Sequence, residues 1–167
     1  MAPFDAGNWI EVALRIGAAM VAGGAIGLNR DLHHKAIGIR TLGLVAVGSC
    51  MLVLSVSHYA LQHGASGVDG VSRVTQGIVS GIGFLGAGVI LRGPGEARVL
   101  GLTTAAAILV VAALGVACAL AVWPILIIGL GATLLLLTVF GGLEHAIQCR
   151  IEQREARRDQ GGPPDRR

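Results

Sequence analysis

The apolar positions of the chain fall into five long runs separated by short polar stretches. The runs cover about residues 9–28, 41–61, 74–91, 101–120 and 124–143. Each is close to the roughly 20 residues that carry a helix across a ~30 Å hydrocarbon core. From Val99 to Leu143 there are 45 consecutive residues without a charge. One helix of that length would reach on the order of 68 Å, so the run must double back. Trp123-Pro124 marks the return, with Trp suited to the membrane interface and Pro to the first turn of the next helix. The pattern predicts an all-α membrane protein of about five transmembrane helices: a polytopic domain at 1–143, then a basic tail at 144–167 too short to bury a core of its own.

The third run is the most unusual. Between Arg73 and Arg92 stand 18 uncharged residues, among them Gly77, Gly81, Gly83, Gly86 and Gly88. In water each of these glycines would cost a helix roughly 1 kcal/mol against alanine. In a bilayer they let another helix approach closely, and Gly77-x-x-x-Gly81 has the spacing for that contact. Helical spacing puts Ile78, Ile82, Leu85 and Val89 on one stripe, expected to face lipid. A second stripe of Gln76, Ser80, Gly83 and Ala87 is polar and small, and is expected to face protein. In the first run Gly23 and Gly27 make a further small-residue face. Gly81-Ile-Gly83-Phe-Leu-Gly86 also matches the G-x-G-x-x-G fingerprint, which needs a preceding strand and an acid about 20 residues on. A membrane-length apolar run surrounds it and positions 101–115 hold no acid, so nucleotide binding is not expected.

Composition sharpens this picture. Of 167 residues, 53% are hydrophobic and 14% charged, and mean hydropathy is +0.71. The net charge of +3 is unevenly spread. With five spans, Arg30, Lys35, Arg40, Arg92, Arg98 and six tail arginines share one side, which is 11 of the 13 basic residues; Arg15 and Arg73 lie on the other. The positive-inside rule then puts the N terminus outside and the C terminus in the cytoplasm. This distribution accounts for the charge without nucleic-acid binding. Residues 1–8 carry no Lys or Arg, so no cleavable signal peptide is expected. Cys50, Cys118 and Cys149 have no metal-ligand spacing, and the histidines at 33, 34, 58 and 63 have no carboxylate or cysteine at ligand spacing. Neither disulfide, metal site nor cofactor is implied. Glu11 and Arg15 stand at i, i+4, either as an interfacial pair with Arg15 snorkelling outward or as a buried ion pair.

Asp69-x-x-x-Arg73-Val-x-Gln76 followed by SGIGFLGAGVI from Ser80 to Ile90, and then Gly101-Leu-Thr-Thr-Ala-Ala106, resembles the MgtC/SapB family of bacterial membrane proteins. Gly38-Ile-Arg40-Thr41 and Ala112-Ala-Leu-Gly115 resemble its other blocks, so the likeness covers roughly residues 10 to 120. It implies a multi-pass protein of the bacterial inner membrane, linked to magnesium homeostasis and, in pathogens, to virulence. The chain departs from the family pattern in three places. Asn29-Arg30-Asp31 replaces a Glu-Arg-Glu type of loop, Leu109 stands where a Trp is usual, and only the basic tail follows the last span, without the ligand-binding-like domain that many members carry.

Two clusters of chemistry-bearing residues remain. Arg30, Asp31, Arg40, Thr41, Arg92, Thr103 and Thr104 lie at helix ends on the cytoplasmic side; they either bind an anionic group, an ion or a partner, or serve as charge anchors and caps. Asp69, Arg73 and Gln76 form a smaller outer-face group, in which Asp69 and Arg73 are placed to pair. Ser80, Thr103 and Thr104 have no His or acid partner at comparable depth, so no enzyme is expected. Magnesium is usually held by carboxylates, and no Asp or Glu lies mid-span. The leading expectation is a protein that supports growth at low magnesium by binding other membrane proteins, or a second copy of itself, in the lipid bilayer. The alternative is a small transporter or channel for magnesium or another ion.

Overall fold

The computed structural model describes residues 8–35, 37–64, 67–92 and 99–139. The chain divides into two compact units, Met1–Thr133 and Leu134–Arg167. Of the second, the described residues are 134–139, the last turns of a helix. Arg98 and the tail at 144–167, for which the sequence sets expectations, lie outside the described residues.

Helix α1, Trp9–Leu32, begins where the Asn8 side chain accepts a hydrogen bond from the Ile10 N–H at 3.2 Å. That cap satisfies one of the four N–H groups a helix start leaves open. Helix α2 is Ile39–Gln62 and α3 is Gly67–Val89. Two short strands follow, β1 at Leu91–Arg92 and β2 at Val99–Leu100, paired antiparallel with Leu91 opposite Leu100. Gly101 then turns the chain into α4, Leu102–Ala119. Its φ of +92° is left-handed, and a side chain there would collide with the Val89 carbonyl, so glycine is required twice over. The last described helix is α5, Trp123–Val139. Helices α1, α2 and α4 are long and apolar enough to cross a membrane.

The core lies among those three helices. Ala19, Ala22 and Ile26 of α1 meet Leu42, Ala46, Cys50 and Val53 of α2, and Ile108, Val111, Ala112 and Cys118 of α4 close the layer. Small residues set the spacing. A Cβ on Gly23 would stand 2.7 Å from the Leu42 carbonyl oxygen and 2.8 Å from Ala46 Cβ. One on Gly27 would strike the backbone of Ile39, and one on Gly115 the backbone of Ala46. So α1 and α4 both touch α2 backbone to backbone, the kind of contact that drives helix association where lipid is as apolar as leucine. Helix α3 packs on α2 and α4 from outside this layer. Gly70 comes against Val56, and Gly86 against Ala105.

Candidate functional site

The densest polar structure lies where α1 ends, α2 begins and α4 begins. Arg30 is buried at 2% exposure in the last turns of α1. Its Nε donates to the Ile37 carbonyl at 3.2 Å, and its Nη2 donates to the Thr104 hydroxyl. The adjacent Asp31 reaches across the loop and accepts from the Ile39 N–H at 2.9 Å. Gly38, the residue before α2, supplies no side-chain cap, so the carboxylate of the previous helix caps this one. Asp31 packs so closely over Gly38 that a Cβ there would overlap it. Consecutive residues thus tie three helix ends together, Arg30 by neutralising carbonyl and hydroxyl lone pairs and Asp31 by meeting a helix N-terminus.

A matching device stands at the other end of the bundle. Arg15 is buried at 4% exposure, makes the ion pair with Glu11, and donates to the carbonyl of Ala119, the last residue of α4. A cation at a helix C-terminus meets both orphan carbonyls and the negative end of the dipole. Of the two sequence readings of this pair, the snorkelling one is replaced by the buried one. Nothing in the neighbourhood of Arg15 along the chain signals this, because its partner is 104 residues away.

Of the loop-end cluster, the structure brings together Arg30, Asp31 and Thr104. Arg40, Thr41 and Thr103 are exposed and make no hydrogen bond with the described residues, and the side chain of Arg92 lies outside them. The grouping of Arg40 with Arg30 and Asp31 in one cluster is therefore corrected. Arg40 sits on the second residue of α2 facing outward, while the loop is closed by the Ile37 carbonyl and the Ile39 N–H. Thr104 does not cap α4; its hydroxyl serves Arg30. In the outer-face group Asp69, Arg73 and Gln76 are all exposed, and Asp69 and Arg73 are not paired.

Within this chain the two stripes of α3 divide differently from the expectation for the apolar one. Ile82 is buried and Ile78 and Val89 are half-buried, so most of the apolar stripe packs inward on α2 and α4, while Leu85 is exposed. Gln76, Ser80, Gly83 and Ala87 are exposed. Gly77, Gly81, Gly83 and Gly88 have no atom within 4 Å of where a Cβ would stand, whereas Gly86 does contact Ala105. The reason is that apolar side chains suit lipid and protein alike, so an apolar stripe in a membrane helix does not say which it meets.

A layer of long apolar helices in backbone contact, with its few charges drawn to helix ends, defines an all-helical membrane protein. Residues 16–146 match the MgtC family, and the chain belongs to that family. Protein SrpB of Synechococcus elongatus is 40% identical over 150 residues, covering 86% of this chain and 82% of that one. The putative magnesium transporter YhiD of Escherichia coli K12 is 39% identical over 145 residues, 84% of this chain and 64% of its own length. Protein SapB of Bacillus subtilis is 38% identical over 110 residues, 64% of this chain and 47% of SapB. The chain thus spans most of SrpB but less than two thirds of YhiD and SapB. No solved structure matches it.

Proposed function

We propose that this chain is a multi-pass protein of the bacterial inner membrane that supports growth at low magnesium by binding other membrane proteins through the open face of α3. It acts without catalysis. The observation that carries this reading is the exposure of Gln76, Ser80, Gly83 and Ala87 on one side of a helix whose opposite side is packed. Neither Gln76 nor Ser80 hydrogen-bonds to a described residue. In a bilayer such groups are best satisfied across a helix–helix contact, and the small residues beside them permit one. The five spans carry the N terminus outward and the C terminus to the cytoplasm, with the Arg30–Asp31–Thr104 junction on the cytoplasmic side and Arg73 on the outer one.

A second reading, a transporter, is favoured by the name of the YhiD relative. Against it stand the engagements of the acids nearest the packed helices. Glu11 is tied to Arg15 and Asp31 to the Ile39 N–H, which leaves the exposed Asp69 as the unengaged carboxylate among the described residues. The test replaces Ser80 or Gly83 by leucine in a strain that depends on this protein at limiting magnesium. Growth should fail while membrane levels of the protein hold. Normal growth of both variants would refute the open-face reading.

A further inference from the structure

A groove of about 590 Å³ runs between α2 and α3, on a different side of α3 from the open polar face. Its floor is made of glycine: Gly48 on α2, and Gly77 and Gly81 on α3, none with an atom within 4 Å of a Cβ position. The two helices run antiparallel here, Gly67 meeting Ala60 and Gly70 meeting Val56. Arg73 therefore stands at one end of the groove and Leu85 at the other. Ser49 and Arg73 are the polar members of a lining that is otherwise glycine and aliphatic. Arg73 is exposed and has no hydrogen bond or ion pair with a described residue; Asp69, one turn away, leaves it unpaired.

Length and charge select the occupant. From Arg73 to Leu85 is 12 residues, about 18 Å along the helix. That is close to the hydrocarbon depth of one leaflet, about half of a ~30 Å core, and too short for a spanning helix to lie in along its full length. A cation at one end of a single-leaflet apolar slot matches an acyl chain with an anionic headgroup. We propose that the α2–α3 groove holds an acyl chain of an anionic phospholipid whose phosphate is bound by Arg73. The planar guanidinium suits a phosphate through paired hydrogen bonds, and its stem is long enough to reach the headgroup region from the groove. One basic side chain near an anionic surface gives about a fivefold preference over a neutral lipid.

The test uses the full chain in phosphatidylcholine bilayers containing a minor amount of a probe lipid with a photoreactive acyl chain, either phosphatidylglycerol or phosphatidylcholine. Labelled peptides are then mapped. Val21, exposed on α1 away from the groove, reports ordinary boundary lipid and also reports that each variant is inserted and folded. The proposal requires the phosphatidylglycerol probe to label Gly48 and the Gly77–Leu85 stretch about fivefold more than the phosphatidylcholine probe does, with no such preference at Val21. Arg73→Gln should abolish the preference and Arg73→Lys should keep most of it. Gly81→Leu should remove labelling from the groove and leave Val21 labelled. Equal labelling of the groove by both probes would overturn the proposal, since it would mean an apolar contact only. Copy-to-copy cross-links through the groove would overturn it too, by showing a helix in place of the lipid.

Discussion

Arg15 and Arg30 each reach from α1 to a carbonyl or hydroxyl on α4, at opposite ends of the layer. Removing one partner of a buried hydrogen bond costs about 1–3 kcal/mol, because the group left behind stays desolvated. Arg30→Lys keeps the charge but cannot donate to both the Ile37 carbonyl and the Thr104 hydroxyl, so it should lose an amount in that range in reversible unfolding from mixed micelles. Asp31→Ala should lose about 1 kcal/mol through the missing cap of α2. Arg40→Lys should stay within about 0.5 kcal/mol of the parent, as an exposed substitution. A destabilisation by Arg40→Lys equal to that of Arg30→Lys would mean that the loop is organised around a different residue. The chain alone points to both arginines as helix-end charges, and it cannot distinguish an anchor in the headgroups from a cation holding another helix. What decides is a carbonyl or hydroxyl 74 or 104 residues further on.

The helices show where reading a membrane sequence is secure and where it fails. Long uncharged runs mark the helices because the backbone must satisfy itself in lipid, and that constraint acts through length and composition. Gly23 and Gly27 sit in the backbone contact between α1 and α2, and their four-residue spacing is visible in the chain. Gly115 makes an equally close contact with Ala46, and Ala119 stands four residues on, but in a helix so rich in alanine that spacing singles out no one face. In α3 the glycines are legible and their role is not. The same small residues serve a contact inside the chain at Gly86, a groove at Gly77 and Gly81, and an open face at Gly83. The substitutions that follow are correspondingly different. Gly27→Leu should prevent recovery of folded protein, since its side chain would enter the Ile39 backbone. Gly83→Leu should leave yield and unfolding unchanged and abolish growth at limiting magnesium. Size-exclusion profiles of the two purified variants check the first half of this contrast. A folded, monodisperse Gly27→Leu would contradict the packing described for α1 and α2.

For the whole molecule, the family, the helical layer and the charge distribution converge on a membrane protein whose buried charges among the described residues, Arg15 and Arg30, hold helix ends. The proposed orientation, N terminus outside, rests on the 11-to-2 division of basic residues across five spans. A reporter inserted at Gly64 should read outside and one within residues 93–95 inside; the reverse at either position would remove the five-span topology. On the proposed function, the protein works by contact with other membrane components and does not itself conduct magnesium. The most direct test is magnesium entry into liposomes carrying the purified full chain and an enclosed magnesium-sensitive dye, under an inward gradient and an imposed membrane potential. Entry should be indistinguishable from that into protein-free liposomes at every protein-to-lipid ratio. Entry that rises in proportion to the protein reconstituted would contradict it.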